Sequence, residues 1–396
     1  TQGYSSAASD VYKRQVYSVL FLAMLFFASC QEAAKSEDVL LFTGTESSPK
    51  ITFTIEEPRD MGVTITATDK VDTDTKVYLA MGDQSMLDAY NAQTGKKYQL
   101  PPEGSCQLGS TETVIKAGNY VSESVRFSIL SLDDFVEGVN YCMPLVITGT
   151  DGDMPVLEAS RVMYVVINRT IISRAVDLHG RCGFNVPQFI TDPRVSALSQ
   201  ATMEIRVRVN SFPSESANPG ISSLMGIEEN FLFRFGDISI EKNQLQLAPA
   251  VIGGKKYFTT GETRYTTGKW HQVVCVYDGS STSIYVDGKL DVKFSAGPGT
   301  INLNDDYFDG FWFGQSCGGR YLDGSISEAR FWTRALTMNE IQDNACYVDP
   351  KTPGLLAYWR FNAVQEDGRV LDETGNGFDA IPHGSYTWIE NVKCPY

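Results

Sequence analysis

The side chains best suited to recognising a polyhydroxylated ligand gather in the stretch AGPGTINLNDDYFDGFWFG (296–314). Asn302, Asn304, Asp305, Asp306, Tyr307 and Trp312 combine amides and carboxylates, which bond hydroxyl groups, with planar rings on which a sugar face can stack. Tyr321 and Trp388 offer further rings. A plainer reading competes, because Phe311, Trp312 and Phe313 follow a strand pattern in which at least one face is core, and that would make Trp312 a packing residue.

A second group, Asp372-Glu373-Thr374-Gly375-Asn376-Gly377, sets oxygen ligands around glycine turns. Carboxylate, amide and carbonyl oxygens from a tight loop suit a hard cation, so a structural calcium ion is one expectation. The other is that Asp372 and Asn376 simply hold the turn through hydrogen bonds to its own backbone.

Catalytic patterns are missing. His179, His271 and His383 lie far apart with neither an H-E-x-x-H nor a G-x-S-x-G arrangement, and His271 beside Trp270 reads as structural. Asp305-Asp306 and Glu228-Glu229 are adjacent pairs, which point to opposite faces if extended. No cysteine pair has C-x-x-C spacing, which with three histidines argues against zinc. The expectation is a binding protein, not an enzyme.

The elements that must position these residues are strands. ITFTI (51–55), VTITAT (63–68), KVYLAM (76–81), ETVIKAG (112–118), SVRFSIL (124–130), YCMPLVIT (141–148) and VMYVVIN (162–168) are short, rich in β-branched and aromatic residues, and separated by turns. They predict a β-sandwich. DQSMLDAYNAQTG (83–95) predicts one short helix lying on it, with Ser85 and Asp88 at capping-box spacing and Leu87 and Tyr90 on one face. From 174 onwards the strands continue. TMEIRVRVN (202–210) alternates, which predicts a half-buried strand with Glu204, Arg206 and Arg208 on a wet face. FLFRFG (231–236), KWHQVVCVYDG (269–279), TSIYVDGKL (282–290), FDGFWFGQ (308–315), GSISEARFWTRAL (324–336) and GLLAYWRFN (354–362) follow, with hairpin turns at Asp278-Gly279 and Asp287-Gly288.

The chain has 396 residues, enough for two domains. Its 48 acidic against 33 basic residues give a net charge of -15, the wrong sign for nucleic acid or anionic lipid. Lys13 and Arg14 precede an apolar run over 16–28, the length of a signal-peptide core and too short to span a bilayer. It ends in Phe27-Ala28-Ser29-Cys30, similar to the processing site of bacterial lipoproteins, which implies that Cys30 is lipidated. The alternative is an ordinary signal peptide with an incidental cysteine. The residues before it, TQGYSSAASDVYKRQ, read as a non-native leader, and 31–39 as a short acidic tether resembling that of surface-exposed lipoproteins. Of the eight cysteines, Cys346 and Cys394 lie near the two ends of the last segment and form the expected disulfide of an exported chain. Cys275 reads as a buried thiol.

Two resemblances follow. LDAYNAQTGKKYQLPPE, VIKAGNYVSESVRFSI and EGVNYCMPLVITG resemble an immunoglobulin-like domain at the front of many Bacteroidetes surface lipoproteins, covering 40–170. WHQVVCVYDGSSTSIYVDGKL (270–290), LDGSISEARFWTRALTMNEI (322–341) and GLLAYWRFNAVQEDGRVLDETGNGFDA (354–380) resemble, in the usual order, the hallmarks of the laminin-G-like, concanavalin A-like jelly roll. With AVDLHG (175–180) as entry strand this covers 174–392, and Trp270 and Trp359 become anchors of the sandwich.

The implied fold is all-β, an immunoglobulin-like β-sandwich followed by a jelly roll. The second resemblance also implies that Asp177 lies near the Asp372 loop, where it would join a calcium site clamping the ends of the domain. Glycosidases of this architecture carry Glu-x-Asp-x-Glu on one strand, which puts the acids on one face. The nearest run here, Glu204-x-Arg206-x-Arg208, has bases where acids should be. The implied role is non-catalytic binding of a glycan or glycoconjugate by a lipid-anchored protein of the outer membrane, displayed at the cell surface and touching the membrane through its anchor alone. A protein-binding adhesion or scaffold module is the alternative, and a glycosidase is third.

Overall fold

The computed structural model describes residues 38–395. Cys30, the apolar run over 16–28 and most of the tether lie outside the described residues. The N-terminal part contains β1 (Leu40–Phe42), β2 (Lys50–Ile55), β3 (Arg59–Val63), β4 (Ile65–Ala67), β5 (Thr75–Met81), α1 (Gln84–Thr94), β6 (Cys106–Leu108), β7 (Glu112–Ile115), β8 (Val125–Ile129), β9 (Tyr141–Thr150) and β10 (Val162–Arg169). A sheet in the order β2-β10-β9-β5-β7, with β2 and β10 parallel, faces the sheet β3-β8-β6 and the short pair β1-β4. Leu40, Val77, Ile115, Phe127, Ile147 and Val165 fill the space between.

The helix α1 lies on the outside of the sandwich. Leu87 and Tyr90 are its buried residues, and the Tyr90 ring stacks on Tyr164 of β10 at 3.7 Å between centroids. Its cap is Asp83 and not Ser85. The Asp83 carboxylate accepts from the Met86 amide (3.1 Å) and also from the Ser85 hydroxyl (2.6 Å), so the stronger acceptor takes the capping role and Ser85 supports it. These bonds, the Ser85 hydroxyl first, hold the Asp83 carboxyl below its ordinary range.

The second part follows after a single residue, Thr170. Its strands are β11 (Ile171–Asp177), β12 (Gly183–Val186), β13 (Ala201–Ser211), β14 (Ser222–Ile227), β15 (Phe231–Phe235), β16 (Gln244–Ile252), β17 (Lys255–Arg264), β18 (Trp270–Tyr277), β19 (Ser281–Val286), β20 (Lys289–Ser295), β21 (Phe311–Phe313) and β22 (Asp323–Trp332). The short helix α2 (Met338–Asp343), then β23 (Leu355–Arg360), β24 (Ile381–His383) and β25 (Thr387–Cys394) complete it. One sheet runs β20-β19-β18-β13-β22-β11-β25, with β23 also paired to β22. The other runs β17-β16-β15-β14-β21-β12-β24. This is a two-layer jelly roll, and the whole chain is all-β as its sequence implies.

The layer between the sheets is strongly aromatic. Trp359 is fully buried, its indole N–H donates to the Phe378 carbonyl at 2.5 Å, and Phe189, Phe311 and Phe313 surround its ring. Cys275 is fully buried here, and desolvation pushes its thiol pKa well up. Asp287 and Gly288 both take positive φ (50° and 73°), the geometry of a tight hairpin between β19 and β20.

Two expectations change. The outer face of β13 is not wet, for Glu204 is 3% and Arg206 5% exposed. The chain after β22, including α2, folds back over this face and builds a second apolar cluster from Val274, Trp332, Leu336, Ile341, Val348 and Tyr358. Glu204 tolerates that burial because it accepts from Trp332 (2.5 Å) and Gln272 (3.2 Å) and pairs with Arg330 at 3.4 Å. Desolvation nevertheless leaves its pKa raised. Trp270 likewise stands on this outer face, with the guanidinium groups of Arg206 and Arg208 5.3 and 5.7 Å from its ring, so Trp359 alone of the two anchors belongs to the main core.

Candidate functional site

The loop between β20 and β21 reaches the surface beside the seven-stranded sheet, and its own polar side chains shape it. Asn302 accepts from the Asn304 amide (2.9 Å), a local turn bond. The Asn304 side chain donates to the carbonyls of Phe189 and Asp192 (2.8 and 2.9 Å), which ties the loop to the turn after β12. Asp305 accepts from the Asn230 side chain (2.9 Å) and the Tyr307 amide (3.0 Å). Asn304 and Asp305 therefore hold the loop in shape more than they face solvent, while Asn302 is exposed.

Beyond Asp305 the backbone is strained. Phe308 and Asp309 have φ of 47° and 65°, a left-handed conformation that a phenylalanine adopts only when its surroundings impose it. Gly310 follows at φ 83°, where a Cβ would lie 2.9 Å from Ile190, so no other residue fits without displacement. The Trp312 indole N–H donates to the Phe308 carbonyl at 2.7 Å and holds the strained turn from beneath.

The result is a presented pair of rings. Tyr307 and Phe308 are 47% and 44% exposed and meet edge to face with centroids 4.5 Å apart. The exposed carboxylates of Asp306 and Asp309 flank them. Trp312 itself is only 6% exposed. Phe311 and Phe313 point into the core while Trp312 lies on the opposite face of β21, against His383 at 4.9 Å, and His383 contacts the Asn185 amide oxygen at 3.1 Å. The aromatic surface thus falls to Tyr307 and Phe308, with Trp312 as its support.

Tyr321 is placed elsewhere. It is half-buried and lines a separate recess of about 460 Å³ with Arg320, Asp323 and Pro213. Trp388, on β25, is half-buried under the guanidinium of Arg174, 4.1 Å from its ring. Phe308 and Asp309 were not singled out in the sequence. The signal was the Asp309-Gly310 step, which resembles the Asp278-Gly279 and Asp287-Gly288 turns but directly follows two aromatic residues.

The oxygen-rich loop near the C-terminus is committed to its own turn. Asp372 accepts from the amides of Tyr358 (3.0 Å), Thr374 (3.0 Å) and Phe378 (3.3 Å), and Asn376 donates to the Leu356 carbonyl (2.9 Å) while accepting from Arg194 (2.9 Å). Asp177 belongs to another network, with Asn210, Ser325, Arg208 and the amide and ring of His179. Among the described residues, no group of three or more His, Cys, Asp or Glu side chains is placed to hold a metal ion together. Cys346 and Cys394 form a disulfide with a Cα separation of 5.5 Å.

Residues 188–342 match the model of the concanavalin A-like lectin/glucanases superfamily, and residues 35–154 match that of a family of N-terminal domains. No curated protein matches the chain. A candidate carbohydrate-binding protein of Bacteroides ovatus is 23% identical, covers 89% of this chain and 98% of its own, and superposes with a TM-score of 0.56, so the two-part fold is shared. The CBM40 of the Ruminococcus gnavus IT-sialidase, solved with α2,3-sialyllactose, is 16% identical over 45% of this chain and 98% of its own, at a TM-score of 0.33. A SAP-like pentraxin of Limulus polyphemus is 11% identical over 57% and 98%, at 0.35. The last two are too distant to carry an argument.

Proposed function

We propose that this chain, with its concanavalin A-like jelly roll set on an N-terminal sandwich, is a non-catalytic binding protein for a glycan or glycoconjugate. The observation that carries the reading is the strained turn at Phe308 and Asp309. It holds two rings in solvent beside free carboxylates, at a conformational cost that a purely structural loop has no reason to bear. Ring faces stack on the apolar face of a sugar, and the neighbouring carboxylates accept its hydroxyl protons. The Bacteroides ovatus relative supports the ligand class. In this reading Cys30 carries the lipid, and the chain is displayed from the outer membrane at the cell surface.

The test is a glycan array probed with residues 31–396 and with a Tyr307→Ala, Phe308→Ala double variant, each with calcium and with a chelator. The wild-type protein should bind a related set of sugars and the variant should lose the subset that the loop recognises. Calcium should change neither result, since the carboxylate oxygens of Asp372 already accept amide protons. A blank array with folded protein would move the assignment to a protein partner, and retention of the whole set by the variant would remove the loop from it.

A further inference from the structure

The two domains meet in a cleft of about 410 Å³, the volume of a ligand of one or two sugar rings. Its walls come from both, with Phe135 to Tyr141 and Ile167 to Thr170 on one side and Gln342 to Tyr347 with Pro395 on the other. The joint that shapes it is stiff. Only Thr170 separates β10 from β11, and its amide is bonded to the Ile55 carbonyl at 2.9 Å. Tyr347 packs directly on Gly138, where an added Cβ would lie 1.9 Å from the ring. The Cys346–Cys394 disulfide fixes the jelly-roll wall to the end of β25, and Lys393 on that strand pairs with Glu56 of the first domain at 2.7 Å.

The chemistry of the walls is selective. Their carboxylates are already paired, Glu137 with Arg360 at 2.8 Å and Asp343 with Lys96 at 2.9 Å. Arg169 is engaged by the Phe135 carbonyl (3.1 Å). Its guanidinium keeps its charge and its other N–H donors, and the remaining uncommitted groups are uncharged. Asn168 and Tyr347 make no side-chain hydrogen bond among the described residues, and the Tyr141 hydroxyl, which accepts from the Val136 amide (3.1 Å), keeps its own proton to donate. Beside these stand the exposed aliphatic side chains of Val136 and Ile172. Neutral donors and acceptors alternating with apolar surface, in a preformed cavity, fit a neutral polyhydroxylated ring, to whose hydroxyl groups Arg169 adds further donors.

We propose that this interdomain cleft is a second, preformed binding site for a neutral sugar unit of one or two rings, separate from the Tyr307–Phe308 loop. It stands on the cleft's own geometry and does not depend on the loop being a site. The test is calorimetric titration of residues 31–396 with maltose, cellobiose, lactose and N,N′-diacetylchitobiose to about 10 mM, the weak end of specific affinity. At least one of these disaccharides should saturate. Val136→Trp and Ile172→Trp plug the cleft from opposite domains at exposed positions, and each should weaken that binding at least tenfold with unchanged circular dichroism. Tyr307→Ala with Phe308→Ala should leave it unaltered. The proposal is overturned if none of the four disaccharides saturates, if both plugging variants bind normally, or if the loop variant abolishes all binding.

Discussion

Trp312→Ala separates the two roles that an aromatic residue on this sheet could have. Trp312 is 6% exposed, packs against His383 and donates its indole proton to the Phe308 carbonyl. Removing a buried Trp side chain costs about 3–5 kcal/mol, and the lower end applies here because the ring lies outside the main core. For a domain of this size a loss of about 3 kcal/mol lowers the Tm by roughly 6–12 °C. Trp312→Phe keeps most of the packing but deletes the donor to the part-buried Phe308 carbonyl, a loss of about 0.5–1.5 kcal/mol, and releases the strained turn. Scanning calorimetry of the jelly-roll transition, with glycan affinity measured on the same samples, should show a large fall in Tm for Trp312→Ala. The same pair of measurements should give a smaller fall with weakened binding for Trp312→Phe, and binding loss at nearly constant Tm for Tyr307→Ala. If Trp312→Ala abolishes binding yet leaves the Tm within about 1 °C, far below what burial of the ring requires, then Trp312 is itself the platform and the reasoning fails.

Burial raises the Asp278 carboxyl, but hydrogen bonds from Ser281, Lys293 and the amides of Ser280 and Ser281 outweigh it, so its folded pKa is lowered. A lowered carboxyl contributes stability that is present above the unfolded pKa of about 3.9 and lost as pH falls below it. Asp278→Asn should therefore reduce the Tm at pH 7 and flatten its decline on the acid side of pH 4; an unchanged acid limb would refute the linkage. The 48-residue separation of Cys346 and Cys394 corresponds to about 4 kcal/mol of loop-closure entropy in the unfolded chain. Cys346→Ser with Cys394→Ser should accordingly lower the denaturant midpoint of the jelly roll clearly, and an unmoved midpoint would show that residual unfolded structure already closes that loop.

The strands and the sandwich class were legible because period-two patterning and turn residues are local signals. The short helix was legible in existence and face, with its cap misplaced by two residues because Asp83 accepts the Met86 amide and takes the Ser85 hydroxyl as a donor. Glu204 and Arg206 were misread for a different reason. Alternation reports two faces of unlike polarity, and a buried ion network beneath a returning segment has the same pattern as a solvated face. The exposed aromatic loop proposed as a site was legible as a region but not by residue. Nothing in FDGFWFG distinguishes the ring that faces solvent from the ring that supports it, since that depends on which face of β21 the neighbouring sheet strands β12 and β14 leave for Trp312. The cleft was not legible at all, since its walls come from segments far apart in sequence that only the folded chain brings together.

Rigidity links the two candidate sites. Sugars offer few strong contacts per ring, so affinity depends on how little ordering the protein must undergo when it binds. At the loop that order is set in advance by Asn304, by the Asn230–Asp305 bond and by Trp312, each reaching the loop from a different strand connection or from β21. At the cleft it is set by a one-residue joint, a glycine that admits Tyr347, and a disulfide beside the wall. A lectin-like protein needs no catalytic acid, but it does need surfaces held in shape against solvent. The strain stored at Phe308 and Asp309 is tolerated because the sheets on either side are over-determined by their aromatic core. On this argument mutations in that core, far from either site, should weaken sugar binding before they unfold the domain.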